Sequence, residues 1–218
     1  VLCRKRYIDD KLLEAVSAGI QAVVILGAGL DTRAYRLAAL GATPVFEVDL
    51  PENTAYKRAK LQELYRGVPA HVVLVPLDFE GQDLASGLAS QGYRAEYKSF
   101  FIWEAVTQYL SQAGVQKTLS FLAQAKTGSR LVFTYVRKDF IDGTARYGLD
   151  ALYEVYRVKR PLWRFGLEPK QVAAFLEQYA WKELEQAGSQ EYTLRYLKPA
   201  GRAVPVTEIE RAVYAEKL

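Results

Sequence analysis

The sequence contains a single cysteine and a single histidine, and both scarcities limit the chemistry that it can support. With Cys3 alone, the chain cannot form an internal disulfide or a cysteine-based metal site, and no other cluster of metal-ligating residues is visible, so no metal is expected. No run of apolar residues approaches the roughly 20 needed to span a bilayer, and no secretory signal is visible. We therefore expect a cytoplasmic protein that does not enter a membrane.

The sequence also lacks a long block of basic residues. Its 29 Lys and Arg residues are mixed with 25 Asp and Glu residues, for a formal net charge of +4. A mixed, solvated surface accounts for this pattern, so nucleic-acid binding is not expected. Hydrophobic residues make up 50% of the 218 positions, which is enough for one sizeable core. We predict a single domain over residues 1–218.

One stretch organises the predicted fold. The apolar run Val23–Leu26 has the pattern of a strand buried on both faces of a parallel sheet. It leads into Gly27–Gly29, which can turn tightly and lets a ligand approach bare backbone. A second predicted strand, residues 45–48, ends in Asp49, 20 residues beyond Gly29. A glycine turn after one strand and an acid at the tip of the next is typical of α/β sheets that bind adenosine, with the carboxylate on the ribose hydroxyls.

The residues after the turn indicate which adenosine ligand it suits. The dinucleotide fingerprint requires a third glycine where this chain has Thr32. Asp31 also places a negative charge where a pyrophosphate would lie. An acid at this position suits a cationic ligand, such as the amino group or sulfonium of S-adenosylmethionine. A nicotinamide-dependent oxidoreductase and a tight turn that binds nothing are the alternatives.

Alternating strand-like and helix-like segments follow and favour an α/β fold. We predict further strands over residues 72–75, 99–103, 129–136, 181–185 and 209–215, and helices over residues 2–19, 53–65, 115–126 and 169–179. Residues 191–197 fit either a helix or a strand. His71 precedes the third strand, whereas ligands gather at the C-terminal ends of strands in open α/β sheets. We therefore interpret His71 as a surface residue rather than a catalytic base.

Four motifs carry a family resemblance: ILGAGLDTRAYRL from position 25, FEVDLP from 46, PLDFE from 76 and WEAVTQYL from 103. With them, the chain resembles the S-adenosylmethionine-dependent methyltransferases of the leucine carboxyl methyltransferase family, in particular the bacterial O-methyltransferase branch that is abundant in actinobacteria. The resemblance runs from Arg4 to the closing ERAVYAEK. It implies a Rossmann-like, seven-stranded, mostly parallel methyltransferase sheet with helices on both faces. The last strand is expected to be antiparallel, between the fifth and the sixth.

The resemblance also implies a segment ahead of the first residue given. Methionine is absent from the sequence, including at position 1. Proteins of this kind carry a further helical segment before this point, which helps to cover the active site. We therefore expect that the natural N-terminus lies upstream of Val1.

The resemblance assigns two contacts with the cofactor. Arg4 matches the arginine that pairs with the carboxylate of the cofactor's methionine moiety, which an arginine fork can hold with two hydrogen bonds; Arg6 is the alternative. Asp78 is assigned to the exocyclic amine of adenine, with Leu77 or Phe79 beside the ring. The competing interpretation is that Asp78 caps a helix over residues 80–88.

A third contact is predicted at the end of the fourth strand. Glu104 follows an apolar strand, and an acid in such a place is costly without a partner, which a bound ammonium would provide. The resemblance places Glu104 near the methionine end of the cofactor and Tyr109 beside the cofactor or substrate pocket, unless Tyr109 packs in the core. The complete predicted cofactor site comprises Arg4, Gly27, Ala28, Gly29, Asp31, Glu47, Asp49, Leu50, Leu77, Asp78, Phe79 and Glu104.

Residues 137–169 break the strand–helix pattern and are rich in aromatic residues. They resemble the insertion after the fifth strand that forms the substrate lid in these enzymes, with Tyr147, Tyr153, Trp163 and Phe165 as predicted lid residues. A flap that packs on the sheet without touching a ligand is the alternative. An apolar lid could equally be a dimer surface, so a homo-oligomer is possible.

The predicted reaction follows from the residues available. A carboxylate acceptor is ionised near neutral pH and needs no general base, whereas an alcohol needs one, and no residue is a certain base here. Tyr109 and Asp142 are the candidates. We therefore expect methylation of a small-molecule carboxylate, or of a hydroxyl, with S-adenosylmethionine converted to S-adenosylhomocysteine. The alternatives are an NAD(P)-dependent oxidoreductase and an inactive protein that binds the cofactor or a partner.

Overall fold

In the computed structural model, which describes residues 1–78 and 80–218, seven strands form one sheet. They are β1 (Ala22–Leu26), β2 (Val45–Asp49), β3 (Val72–Pro76), β4 (Ser99–Trp103), β5 (Arg130–Val136), β6 (Trp181–Ala187) and β7 (Glu210–Lys217). The spatial order is β3-β2-β1-β4-β5-β7-β6, and the first five strands are parallel. β7 is antiparallel to both of its neighbours. The predicted position and direction of the last strand are confirmed.

Helices cover both faces of this sheet. They are α1 (Leu2–Ser17), α2 (Arg33–Arg36), α3 (Pro51–Tyr65), α4 (Leu84–Ser90), α5 (Gln112–Leu122), α6 (Lys138–Ile141), α7 (Asp150–Tyr153), α8 (Val172–Glu177) and α9 (Ser189–Tyr192). Short 3-10 turns lie at Ala38–Leu40, Thr107–Tyr109 and Pro169–Gln171, and π-helical turns extend α7 over Glu154–Lys159 and α9 over Thr193–Leu197. None of the described helices combines the length and the apolar character needed to cross a membrane.

The central strands are apolar because both of their faces are covered. In β1, Val24 and Leu26 belong to one buried cluster, which also contains residues of α4, α5 and α8. Val23 and Ile25 belong to the opposite cluster, which contains residues of α1, α3 and α9. A parallel strand between two helical layers therefore reads as a continuous hydrophobic run, as predicted for residues 23–26.

Local signals explain two departures from the predicted elements. The helix after β3 begins at Leu84, not at residue 80, and its N-cap is Asp83, whose carboxylate accepts a hydrogen bond from Ser86 N–H at 2.8 Å. The alternative role of Asp78 as a cap is therefore wrong. α3 begins at Pro51 because proline fits the first turn of a helix, where no N–H partner is needed. Residues 191–197 are helical.

His71 also differs from its prediction as a plain surface residue. Its ring is half-buried at the N-terminal end of β3, and Nε2 lies 2.9 Å from the carbonyl oxygen of Ala34. The histidine therefore ties the sheet to α2.

The insertion at residues 137–169 carries a small core of its own. It consists of α6, α7 with its π-helical extension, and a return segment whose Leu167 bridges Arg137. The buried residues of this small core, the insertion cluster, are Val136, Phe140, Ile141, Trp163 and Ile209. Because two of these residues belong to or border β5 and β7, the insertion is packed onto the C-terminal end of β5.

Trp181 at the start of β6 tests the packing of this edge strand against the main core. It is completely buried, its ring lies edge-on to Phe101, and its indole N–H donates to the carbonyl of Leu122 at 3.2 Å. We expect Trp181→Ala to lower the free energy of unfolding by about 3–5 kcal/mol, as for other large core truncations. Lys182→Ala, at the exposed neighbouring position of the same strand, should change it by less than about 0.5 kcal/mol. Urea unfolding of both variants measures the difference, and equal effects would show that Trp181 does not anchor the edge of the sheet.

Candidate functional site

The C-terminal ends of β1 and β4 lie side by side because these parallel strands pair directly. A small cavity of about 180 Å³ opens between them and α1. It is lined by five of the predicted cofactor residues, Arg4, Gly27, Ala28, Asp31 and Glu104. The fold thus brings together residues as far as 100 positions apart in the chain.

The glycine turn requires glycine at its first position. Gly27 has a φ of 68°, and a Cβ atom there would collide with a methyl carbon of Val106. The backbone N–H groups of Gly27 and Ala28 both donate to the carbonyl of Val48, at 2.8 and 3.0 Å. The turn is therefore fixed against β2, with its bare backbone next to the cavity.

Asp49, at the end of β2, holds the other side of this turn. Its carboxylate accepts hydrogen bonds from the backbone N–H of Gly29 at 2.6 Å and of Leu50 at 2.7 Å, and from the side chain of Asn53 at 2.6 Å. The predicted contact with ribose hydroxyls stays a prediction. The same carboxylate also shapes the turn on which a nucleoside would rest.

Arg33 is absent from the predicted site, yet it balances the charges there. Its guanidinium is 1% exposed and forms ion pairs with Asp9 at 2.7 Å, with Glu104 at 2.9 Å and with Asp31. Asp31 is predicted to suit a cationic ligand, and in the structure its cation is Arg33 of the same chain. The only sequence signal was a basic residue two positions after an acid, which is common on solvated surfaces.

Glu104 is surrounded by cations. Arg4 donates to it from Nε at 2.7 Å, and Nζ of Lys5 lies 3.4 Å away, in addition to Arg33. Burial alone would raise the pKa of Glu104, but the charges of Arg33, Arg4 and Lys5 outweigh burial and hold its pKa below the ordinary value. The protein itself therefore supplies partners of the kind predicted for a ligand ammonium. Contact between Glu104 and a ligand stays a prediction.

A hydrogen-bonded chain connects Arg4 to the ends of three strands. Arg4 pairs with Glu210 at the start of β7, and Glu210 accepts a hydrogen bond from the hydroxyl of Thr134 at 3.1 Å. That hydroxyl accepts a hydrogen bond from the backbone N–H of Ala105 at 2.7 Å. Ala105 has a φ of 59°, a left-handed conformation of the kind that clusters at functional sites. Glu210 and Thr134 were not predicted as site residues, because the order of the strands does not reveal which side chains meet where β7 pairs with β5.

Glu47 lies away from this cavity. Its side chain is 1% exposed, with Nζ of Lys57 at 2.7 Å and the hydroxyl of Tyr35 at 2.8 Å. Burial raises the pKa of Glu47, and Lys57 and Tyr35 offset this only in part. Its observed contacts join β2 to α3 and α2, and none of them faces the cavity that Arg4 and Glu104 line.

The predicted adenine contacts follow β3. The backbone N–H of Leu77 donates to the carbonyl of Asp49 at 2.8 Å, which places Asp78 close to the end of β2. Asp78 is exposed and accepts a hydrogen bond from Glu80 N–H at 3.0 Å, so its carboxylate shapes a turn. Phe79 lies outside the described residues. The adenine assignment stays a prediction.

The remaining candidates lie at different depths. Arg6, the alternative to Arg4, pairs with Asp10 at 2.9 Å on the exposed side of α1, so Arg4 and not Arg6 reaches Glu104. Asp142 is exposed and lies 2.9 Å from Lys138 one helical turn away. Tyr109 is 41% exposed and meets Trp163 edge-on at 6.4 Å, which excludes a fully buried core position for it.

The four predicted lid residues divide into two groups. Trp163 stacks on Tyr156 at 4.7 Å, Tyr153 lies edge-on to Phe140, and Phe165 is buried in the main core. These three pack within the protein. Tyr147 alone of the four lines a large cavity beside α1, and its hydroxyl donates to Asp139 at 2.6 Å.

Comparison with known proteins agrees with this architecture. Residues 1–123 match the model of the leucine carboxyl methyltransferase family. A protein of Frankia alni, named as a candidate S-adenosyl-L-methionine-dependent methyltransferase, is 37% identical over 133 residues, or 61% of this chain and 47% of that protein. Magnesium protoporphyrin IX methyltransferase from Synechocystis, solved with bound S-adenosylhomocysteine, gives a TM-score of 0.62 at 14% identity and covers 100% of this chain and 84% of its own. The structure of mitomycin 7-O-methyltransferase gives a TM-score of 0.58 at 16% identity, and the match covers 92% of this chain and 50% of that one.

These similarities carry different weight. The two solved structures show the fold, which confirms the predicted Rossmann-like methyltransferase sheet. The family match covers more than half of the 218 residues. The chain spans about half the length of the curated relatives that it matches.

The charge cluster predicts a specific dependence of stability on pH. Because the pKa of Glu104 is lowered in the folded state, its stabilising contribution is complete above the unfolded value of about 4.3 and is lost as the pH falls through the lower folded value. Glu104→Gln should therefore cost roughly 3 kcal/mol at pH 7 and progressively less towards pH 3. Urea unfolding across this pH range measures the difference, with exposed Glu96→Gln as the control. A penalty that does not change with pH would contradict the ionised, paired state.

The glycine turn predicts unequal effects of two similar substitutions. Both Gly27 and Gly29 have positive φ, so alanine at either position should cost about 1–3 kcal/mol of backbone strain. A Cβ at position 29 meets nothing within 4 Å, whereas at position 27 it collides with Val106. Gly27→Ala should therefore be the more destabilising by roughly 1–3 kcal/mol, and Val106→Ala in the same chain should recover most of this difference. Equal unfolding free energies for the two single variants would show that the contact with Val106 is unimportant.

Proposed function

The chain belongs to the leucine carboxyl methyltransferase family, and on this premise we propose that it is an S-adenosylmethionine-dependent O-methyltransferase. The observation that carries the proposal is the arrangement at the edge of the sheet. The glycine turn is braced there by Asp49, and the Arg4–Glu104 pair lies across the small cavity from it. This arrangement supports a ligand with a nucleoside at one end and an amino acid at the other.

The residues at this edge suit the groups of S-adenosylmethionine. Asp49 would bind the ribose hydroxyls, and Leu77 with Asp78 would bind the adenine. Arg4 would bind the carboxylate: its hydrogen bonds to the described residues use Nε and Nη1, so Nη2 keeps donors for a ligand. The carboxylate of Glu104 would accept a hydrogen bond from the amino group, since its lowered pKa keeps it ionised at neutral pH. The positive φ of Gly27 exposes backbone where the ligand would cross β1.

We propose a carboxylate of a small molecule as the methyl acceptor. S-adenosylmethionine supplies an electrophilic methyl group, which a carboxylate oxygen can take while the electron pair of the S–CH₃ bond stays on sulfur. An ionised carboxylate needs no general base, and the bases available here are poorly placed. His71 lies at the N-terminal end of β3, and Asp142 is exposed beside Lys138. A hydroxyl acceptor would have to rely on Tyr109 or Asp142.

The insertion at residues 137–169 is proposed as the lid of one domain that spans residues 1–218. The insertion cluster packs this segment against the ends of β5 and β7. Tyr147 and Leu149 extend from it to the large cavity that the first turn of α1 also lines. The proposed lid therefore has one face for packing and one for a ligand.

Calorimetric titration with S-adenosylmethionine, S-adenosylhomocysteine and NADH tests the proposal. Both sulfur nucleosides should bind, and NADH should not. Asp49→Asn should weaken S-adenosylhomocysteine binding by roughly 10- to 100-fold, the value of hydrogen bonds to a charged group. Glu63→Gln, at an exposed position of α3, is the matched control and should bind like the unmodified chain.

Thermal unfolding of both variants must accompany this titration, because Asp49 also braces the glycine turn. Tight binding of NADH would overturn the choice of S-adenosylmethionine as the cofactor. Unchanged S-adenosylhomocysteine binding in a folded Asp49→Asn variant would overturn the contact between Asp49 and the ribose.

A further inference from the structure

A buried hydroxyl joins two segments at the edge of the candidate site. Thr134 lies in β5 and is 0% exposed, so its side chain is closed to a ligand. Its hydroxyl accepts a hydrogen bond from the backbone N–H of Ala105 at 2.7 Å and donates one to Glu210 at 3.1 Å. A hydroxyl has one proton and two lone pairs, so it can make both bonds at once. Thr134 therefore connects the segment after β4 with the start of β7.

The first bond leads to Glu104. Ala105 lines the candidate cofactor cavity, and its N–H belongs to the peptide group that joins it to Glu104. The φ of 59° at Ala105 is a costly conformation for a residue other than glycine, and it persists only where the surroundings hold it. The hydrogen bond to Thr134 fixes this peptide group, and with it the direction in which the side chain of Glu104 leaves the backbone.

The main chain of Thr134 holds the same segment. The hydroxyl of Thr107, which is also 0% exposed, donates to the carbonyl of Thr134 at 2.7 Å. Between the two bonds, Val106 faces Gly27, where its methyl groups leave no room for a Cβ atom. The segment from Ala105 to Thr107 is thus fixed to β5 on one side and to the glycine turn on the other.

The second bond leads to Arg4. Glu210 uses one carboxylate oxygen, Oε1, for the hydroxyl of Thr134 and the other, Oε2, for Arg4. Because each oxygen has its own partner, the hydroxyl fixes the orientation of the carboxylate that holds Arg4. Arg4 in turn donates to Glu104 at 2.7 Å. The Thr134 hydroxyl is therefore linked to both members of the Arg4–Glu104 pair.

We propose that Thr134 is a positioning residue for the amino-acid end of the bound cofactor. Its hydroxyl acts on that end through Glu104 and Arg4. This inference rests on the proposed function, which assigns these two side chains to the amino and carboxylate groups of S-adenosylmethionine. The ribose end is independent of Thr134, because the hydrogen bonds of Asp49 to described residues go to the glycine turn and to the start of α3. Loss of the hydroxyl weakens the hold on the amino acid and leaves the hold on the nucleoside intact.

Calorimetric titration with two nucleosides tests this role. S-adenosylhomocysteine carries the amino acid, whereas 5′-methylthioadenosine keeps the adenosine and the sulfur but lacks the amino and carboxylate groups. Thr134→Val has nearly the same shape without the hydroxyl. It should weaken S-adenosylhomocysteine binding about 10-fold, because the two charged side chains at the amino-acid end are no longer held in place, and 5′-methylthioadenosine binding by less than about 2-fold. Equal losses for the two nucleosides, or no loss for either, would overturn the proposal.

The conservative variant and a matched control separate positioning from general stability. Thr134→Ser keeps the hydroxyl and should bind both nucleosides like the unmodified chain; a loss as selective as that of Thr134→Val would overturn the role of the hydroxyl. Thr118 is 1% exposed, and its hydroxyl donates to the carbonyl of Gly114 within α5 at 3.0 Å. Thr118→Val therefore loses a buried hydroxyl away from the candidate cofactor cavity and should leave both affinities unchanged.

Urea unfolding establishes that each variant is folded. If Thr134→Val does not fold, Thr107→Val takes its place, since it removes the other bond between this segment and β5. Thr107→Val should then weaken S-adenosylhomocysteine binding and spare 5′-methylthioadenosine, and unchanged binding of both would overturn the proposal.

The unmodified chain separates this inference from the proposed function. If it binds neither nucleoside, the methyltransferase proposal fails, and the role of Thr134 fails with it. If it binds S-adenosylhomocysteine and the threonine variants show no selective loss, the positioning role fails while the cofactor assignment stands.

Discussion

The site depends on one buried guanidinium. Arg33 lies under the glycine turn and holds three carboxylates, from α1, from the turn itself and from the end of β4. Three acids this close together would repel one another and would lose stability on burial without a cation between them. Arg33 therefore makes it possible for an acid to stand at the tip of a central strand and remain ionised. The same contact ties α1 to the site, because Asp9 is one of the three partners.

Most of the fold could be predicted from local patterns. Strands buried on both faces are continuous apolar runs, and β1 and β4 were recognisable for that reason. The place of β7 could not be read from its own residues; it came from a family resemblance, and the sheet confirms it. Helix starts were harder, because Asp78 and Asp83 are both plausible caps and the choice depends on where the turn after β3 ends.

The candidate site was predictable where it follows the strand ends and unpredictable where it depends on pairing across the fold. The glycine turn and Glu104 lie directly after strands and Asp49 is the last residue of one, so their positions could be inferred from the sequence. Arg33 and Glu210 contribute through partners in distant segments, and no spacing in the sequence reveals such pairs. Glu47 shows the opposite error: it lies within β2, two residues before Asp49, and its carboxylate is held by Lys57 and Tyr35 instead of facing the cavity.

Arg4 lines both the small cavity between β1 and β4 and the large cavity beside α1, and its guanidinium is paired with Glu104 and Glu210. Any ligand that draws this guanidinium towards one cavity changes the field in the other. By thermodynamic linkage, occupancy of the two cavities must then be coupled, and each ligand must alter the affinity of the other by the same factor. The shared Arg4 side chain is thus a physical route by which occupancy of one cavity can alter the affinity of the other.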